Sequence, residues 1–307
     1  MGLSAPGRDD AMLWDIACPP RPSRLPGVAM AGFADRGSTP PDLRLIPHPA
    51  VTLLLVLGGS IAVEDTAGQR HRGSFVIGPG FGEVLRTLEV RAVDCLQVRL
   101  PPMIAHTVLG PAAADLDASV VPLDALLGPE ANRMCERLNN FQTWNARFAW
   151  TDAWLTRRYT AVAPRVHPEV MWAWRRIADD RGSIRIEPLA TELGWSRKRL
   201  WSRFHAQLGL TPKRAASLIR FDHAVHGLVA GRPPAEVAAD NGYTDQSHLH
   251  REIRAFTGLT PATVIREPFL AVDSTAWGWP GRSSSTDSLL DQSSGPRPPV
   301  RGRNSST

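Results

Sequence analysis

The chain has 307 residues, a net charge of +5, 43% hydrophobic and 21% charged residues. That is the balance of a globular protein with a real core, and it excludes disordered and fibrous classes for the chain as a whole. The longest apolar run, Val51 to Leu57, is far short of the roughly 20 residues a membrane helix needs.

Residues 1–25, with Arg8, Asp9 and Asp10 ahead of Pro19 and Pro20, lack periodicity and a signal-peptide core and read as an irregular segment of a cytoplasmic protein. From about Val28 to Arg99 the texture is that of strands. Val51–Leu57, closed by Gly58-Gly59, is a short, partly β-branched apolar run of the kind that forms a buried strand. Ile61–Glu64, Ser74–Ile77 and Leu88–Leu100 are further strands, punctuated by Gly68, Gly78-Pro79-Gly80 and Pro101-Pro102. Short strands at this spacing suggest a small sandwich or barrel. From Leu123 to Tyr159 the apolar period turns helical, and Ala161-Val162-Ala163-Pro164 reads as a linker to a second helical block that opens near His167. Beyond it, Ser283-Ser284-Ser285 and Asn304-Ser305-Ser306-Thr307 mark 272–307 as a disordered tail, too polar to offset its chain entropy.

The informative feature is an internal repeat. Leu189-Ala190-Thr191-Glu192-Leu193-Gly194-Trp195-Ser196 leads into Arg197-Lys198-Arg199-Leu200-Trp201-Ser202-Arg203-Phe204. Val237-Ala238-Ala239-Asp240-Asn241-Gly242-Tyr243-Thr244-Asp245 leads into Gln246-Ser247-His248-Leu249-His250-Arg251-Glu252-Ile253. Each copy is a short helix, a glycine suited to the positive φ that ends a helix, an aromatic, a capping Ser or Asp, and a second helix. This is helix-turn-helix patterning, twice. At 100° per residue, Leu200 and Phe204 share one face and Lys198, Ser202 and His205 oppose them, with Trp201 at the edge. In the second copy Leu249, Ile253 and Phe256 face inward, and Ser247, Arg251 and Arg254 outward, flanked by His250. No Asp or Glu occurs between Leu193 and Phe221, where seven Lys or Arg residues fall. Outward side chains of these types can hydrogen-bond base edges in a major groove.

From Ala235 through Asp245-Gln246-Ser247-His248-Leu249, Arg251 and Phe256 to Gly258-Leu259-Thr260-Pro261, the chain resembles the AraC/XylS-type transcription regulators. The first copy agrees in Ser196, Arg199, Leu200, Phe204, Gly209, Thr211-Pro212 and Arg220. Ile253 stands where that family usually has Phe, a departure that concerns packing. The resemblance implies an α+β chain: a strand-rich, cupin-like sensing or dimerisation domain over 26–160, and an all-α DNA-binding domain over 165–268. In that domain Pro212–Val229 is the long helix joining two units, whose recognition helices enter successive major grooves about 34 Å apart. Carried over by position, Lys198, Trp201, Ser202, Gln246, Ser247, His250 and Arg251 read bases, and Arg197, Lys213, Arg214 and Arg220 contact phosphates. The implied partners are double-stranded DNA, a small-molecule effector, RNA polymerase and a second copy in a homodimer; no membrane is among them.

The cupin-like resemblance rests on Ile46-Pro47-His48-Pro49-Ala50-Val51-Thr52-Leu53 and Val98-Arg99-Leu100-Pro101-Pro102. Its histidines, His48, His71 and His106, are scattered without H-x-H spacing, so no metal is expected. Cys18, Cys95 and Cys135 form no C-x-x-C pair, which argues against a zinc-cysteine DNA-repair protein and for reduced thiols. No nucleophile–base set or phosphate loop is evident, so neither catalytic residues nor a cofactor are expected. The alternative is a constitutive DNA-binding protein whose N-terminal half only dimerises.

Overall fold

The computed structural model describes residues 13–37, 43–65, 67–80, 85–110, 116, 120–162 and 166–277. Strands β1 (Trp14–Ala17), β2 (Ala29–Asp35), β3 (Arg44–Leu45), β4 (Val51–Glu64), β5 (Arg70–Arg72), β6 (Phe75–Ile77) and β7 (Leu85–Leu100) come first. Helix α1 (Pro102–Leu109), strand β8 (Val120–Pro122) and helices α2 (Leu123–Leu127), α3 (Pro129–Asn139) and α4 (Trp144–Thr160) follow. All pairings are antiparallel, in the order β1-β2-β7-β4-β6-β8, with β3 on β7 and β5 on β4.

The apolar run in β4 is buried on both faces of this sheet. Leu53, Leu55 and Leu57 pack with Leu96, Val98 and Leu100 against α1, α3 and α4. Leu54 turns to the opposite face with Phe33, Cys95 and Phe75, around a cavity. Gly58-Gly59 does not end the strand, as the sequence suggested. It forms a bulge: between Gly58 and Ser60, β4 advances two residues while β7 advances three, from Asp94 to Arg91. Gly59 has φ +67°, and a Cβ there would sit 2.2 Å from the Ala92 carbonyl oxygen, so only glycine fits the bend.

The second block contains α5 (Pro168–Asp179), α6 (Ile186–Glu192), α7 (Arg197–Leu208), α8 (Pro212–Val229), α9 (Pro234–Asp240), α10 (Gln246–Thr257) and α11 (Pro261–Val264). One core unites them: Leu200 and Phe204 of α7, Leu218, Phe221 and Val225 of α8, and Leu249, Ile253 and Phe256 of α10 all belong to it. Phe221 and Phe256 stack with centroids 4.6 Å apart. The fold is thus α+β, with a strand-rich N-terminal part and an all-α part in which a long helix joins two helix-turn-helix units.

Two expectations are corrected at the ends of the chain. Residues 14–17, read as irregular, form β1, because Trp14 and Ile16 can pack beside Phe33. The tail does not begin at residue 272. After α12 (Pro268–Ala271), α13 (Asp273–Ala276) packs Val272 and Ala276 into the core on the cavity face. The serine-rich stretch from residue 278 onward, and Ala163 and Pro164 of the expected linker, lie outside the described residues.

Candidate nucleic-acid interface and sensor cavity

Each turn is built by the same local chemistry. After α6, the N–H of Trp195 bonds Ala190 O at 2.9 Å and that of Gly194 bonds Thr191 O, with Gly194 at φ +63°. After α9, Tyr243 N–H bonds Ala238 O at 3.0 Å and Gly242 N–H bonds Ala239 O, with Gly242 at φ +69°. The next helix is then capped: Ser196 Oγ accepts from Arg199 N at 3.2 Å, and Asp245 Oδ1 from His248 N at 2.7 Å. Both α7 and α10 end on a left-handed glycine, Gly209 and Gly258.

These caps fix which residues face outward. Lys198, Trp201 and Ser202 are exposed on α7, and Trp201, 52% exposed, stacks on His205 at 5.2 Å. On α10, Gln246, Ser247 and Arg251 are exposed and His250 is half-buried. Gln246 and His250 approach to 3.2 Å, and Arg251 Nε donates to the Ser247 carbonyl at 3.3 Å. All seven expected base readers therefore sit on the outer faces of the second helices.

The expected phosphate contacts divide. Arg197 and Lys213 are exposed, and Arg197 donates to Glu187 at 2.5 Å across open surface. Arg220 instead lies inside the fold, paired with Glu252 at 2.6 Å and over the Tyr243 ring at 4.8 Å. Burial opposes its charge, but Glu252 holds its pKa above the usual value. Arg214 is half-buried, over the Phe256 ring at 4.2 Å and bonded to Gly80 O at 3.3 Å. Glu252 and Tyr243 meet Arg220 only once α8 and α10 pack, which the local repeat pattern does not show.

A second site lies on the sheet. Trp14, Phe33, Leu54, Phe75, Ile77, Val93 and Cys95 enclose a cavity of about 80 Å³. Its apolar wall pushes the Cys95 thiol up to about 12, first by burial and then by Asp94. Arg99, His48 and Asp273 also line the cavity: Arg99 Nη2 donates to Asp273 at 2.8 Å and to His48 Nε2 at 2.8 Å, while His48 Nδ1 meets Asp222 at 3.0 Å. His226 faces acceptors at both ring nitrogens, Asp222 O at 2.7 Å and Asp273 Oδ2 at 3.3 Å. Two acceptors call for two donors, the imidazolium form. Burial disfavours that charge, but Asp222 and then Asp273 outweigh it and raise the His226 pKa. Burial likewise opposes charge on Asp273, yet the Arg99 guanidinium beside it holds its pKa well below the usual carboxylate range.

His48 thus belongs to an ion cluster between the two parts of the chain, while His71 pairs with Asp65 at 3.1 Å and His106 is buried in α1. Among the described residues no group of three or more His, Cys, Asp or Glu side chains is placed to hold a metal. No helix among them is long and apolar enough to cross a membrane.

Two helix-turn-helix units on a shared connector define a DNA-reading class of domain. Residues 189–267 match a family model described as a helix-turn-helix domain, and this C-terminal part is an AraC-type DNA-binding domain. The HTH-type transcriptional regulator YbfI of Bacillus subtilis is 33% identical over 67 residues, 22% of this chain. The chain spans 24% of the length of that curated relative. A crystal structure of ToxT from Vibrio cholerae covers 79% of this chain and 98% of its own at 9% identity and a TM-score of 0.49. The C-terminal domain of AraT from Geobacillus stearothermophilus covers 33% of this chain and 87% of its own at 24% identity and a TM-score of 0.32. Likenesses at these scores carry no function across.

Proposed function

We propose that the chain is a sequence-specific transcription regulator whose residues 165–268 read DNA and whose residues 26–160 respond to a small effector. The observation that carries it is the pair of capped helices with matching polar, outward faces, repeated within one core. Lys198, Trp201, Ser202, Gln246, Ser247, His250 and Arg251 read bases in this account. Arg197 and Lys213 meet phosphates, and Arg214 and Arg220 position α8 and α10 through Phe256 and Glu252. The cavity, with charged groups gathered at one end of an apolar wall, supports the effector role over a purely dimerising one. DNA and a small molecule are the partners this reading requires.

Selection of duplexes from a random-sequence pool by the full chain tests the reading. Enrichment of a shared sequence is expected. Retention of duplexes without sequence preference, lost uniformly as salt rises, would leave only phosphate binding.

A further inference from the structure

We propose that Val272–Trp277 is a tethered plug, filling the charged side of the cavity with the chain's own carboxylate until an acidic ligand with an apolar body displaces it. The inference rests on the reading that the N-terminal half takes a small effector. The cavity of about 80 Å³ is well below the roughly 300–1,000 Å³ of small-molecule sites. Part of its wall is the segment itself, through Val272 and Asp273 beside Phe269. Trp277 lies 4.0 Å from the Arg99 guanidinium. As the structure stands, the wall leaves too little room for such a ligand unless this segment moves.

The plug fits the charge incompletely. Asp273 engages Arg99 through Nη2 alone, and Arg99 Nε is buried without a hydrogen-bond partner among the described residues. A guanidinium edge binds a carboxylate best through two parallel bonds, so a free acid can add a bond that the tethered one does not make. The indole N–H of Trp14, in the same wall, is also buried and unpartnered. Buried donors of this kind are rare unless something else satisfies them. What the segment presents, a carboxylate flanked by Val272 and Trp277, is the chemistry it holds the place of.

Release is local. α13 is a four-residue helix, too short to persist unsupported, while Leu270 stays in the core of the DNA-reading part. The hinge therefore falls between Leu270 and Val272. Since Asp273 joins Arg99 on β7 to His226 on α8, its departure removes a tie between sheet and connector.

Calorimetric titration of the full chain with octanoate, and with 1-octanol as the uncharged control, tests this. Asp273→Asn weakens the tie that either probe must break and should tighten octanoate by about tenfold, as expected of one charge-assisted hydrogen bond, and octanol as well, with octanoate remaining the tighter of the two. Trp277→Ala, which leaves every charge in place, should tighten both probes and serves if Asp273→Asn fails to fold. Arg99→Gln in the Asp273→Asn background should remove the preference for the acid. Folded variants that bind octanoate no more tightly than the parent would overturn the plug. DNA affinity is read separately. Tighter octanoate binding without any effect on DNA would uphold the plug and remove the effector reading, whereas unchanged octanoate binding beside a DNA response to another small molecule would do the reverse.

Discussion

Arg251 and Arg197 are both exposed, and the proposed function gives them different work. Arg251 stands on the outer face of α10, opposite the buried Leu249 and Ile253. Its replacement by Ala should cost about 1–3 kcal/mol of binding and relax preference at one base position. Arg197 opens α7 beside Glu187, so Arg197→Ala should weaken all sequences alike and lower the salt slope by about one contact. Affinities for a selected duplex and its single-base variants, across several salt concentrations, separate the two. Equal weakening of every variant by Arg251→Ala would move that side chain to the phosphates. The outward positions were legible because helical period and capping signals both lie in the local sequence. The inward turn of Arg220 was not: Glu252 stands 32 residues away and reaches it only after α8 and α10 pack.

At the scale of elements, glycines of similar φ carry different burdens. Gly194 has φ +63° and open space where a Cβ would go, whereas Gly182, at φ +75°, would press its Cβ to 2.1 Å from Ala216 O on α8. Gly194→Ala should therefore cost about 1–2 kcal/mol, the left-handed penalty alone. Gly182→Ala should cost clearly more, since a backbone must also move. Urea unfolding midpoints compare them, and equal losses would mean that the α5–α8 contact yields freely. The helix-turn-helix elements could be read from sequence because each boundary is marked by a local residue, Gly194, Ser196, Gly242 or Asp245. β1 and α13 could not, because neither carries a signal of its own. Trp14 and Val272 are ordered by the cavity face they cover, and that face exists only once β2, β4 and β7 have paired.

At the scale of the molecule, the two parts meet through His48, Arg99, Asp222, His226 and Asp273, with His223 close by. The raised His226 pKa means that its charged form adds stability fully below the ordinary 6.5 and that this is lost as pH rises through the folded value. His223 is shifted the other way, chiefly by burial, so the wild-type profile mixes opposite signs. The difference in Tm between the parent and His226→Gln isolates the first: it should be largest in mildly acidic solution and shrink with rising pH. A difference that grew with pH would mean that His226 is buried neutral.

The proposed function turns on two helices of one chain, joined by α8, reading DNA together. The most direct measurement is hydroxyl-radical and methylation footprinting of the full chain on a duplex enriched from the random pool. Two protected major-groove segments are expected on one side of the helix, about 10–10.5 base pairs apart, with Lys198→Ala weakening one and Arg251→Ala the other. A single protected segment, affected by both substitutions alike, would contradict the proposed function.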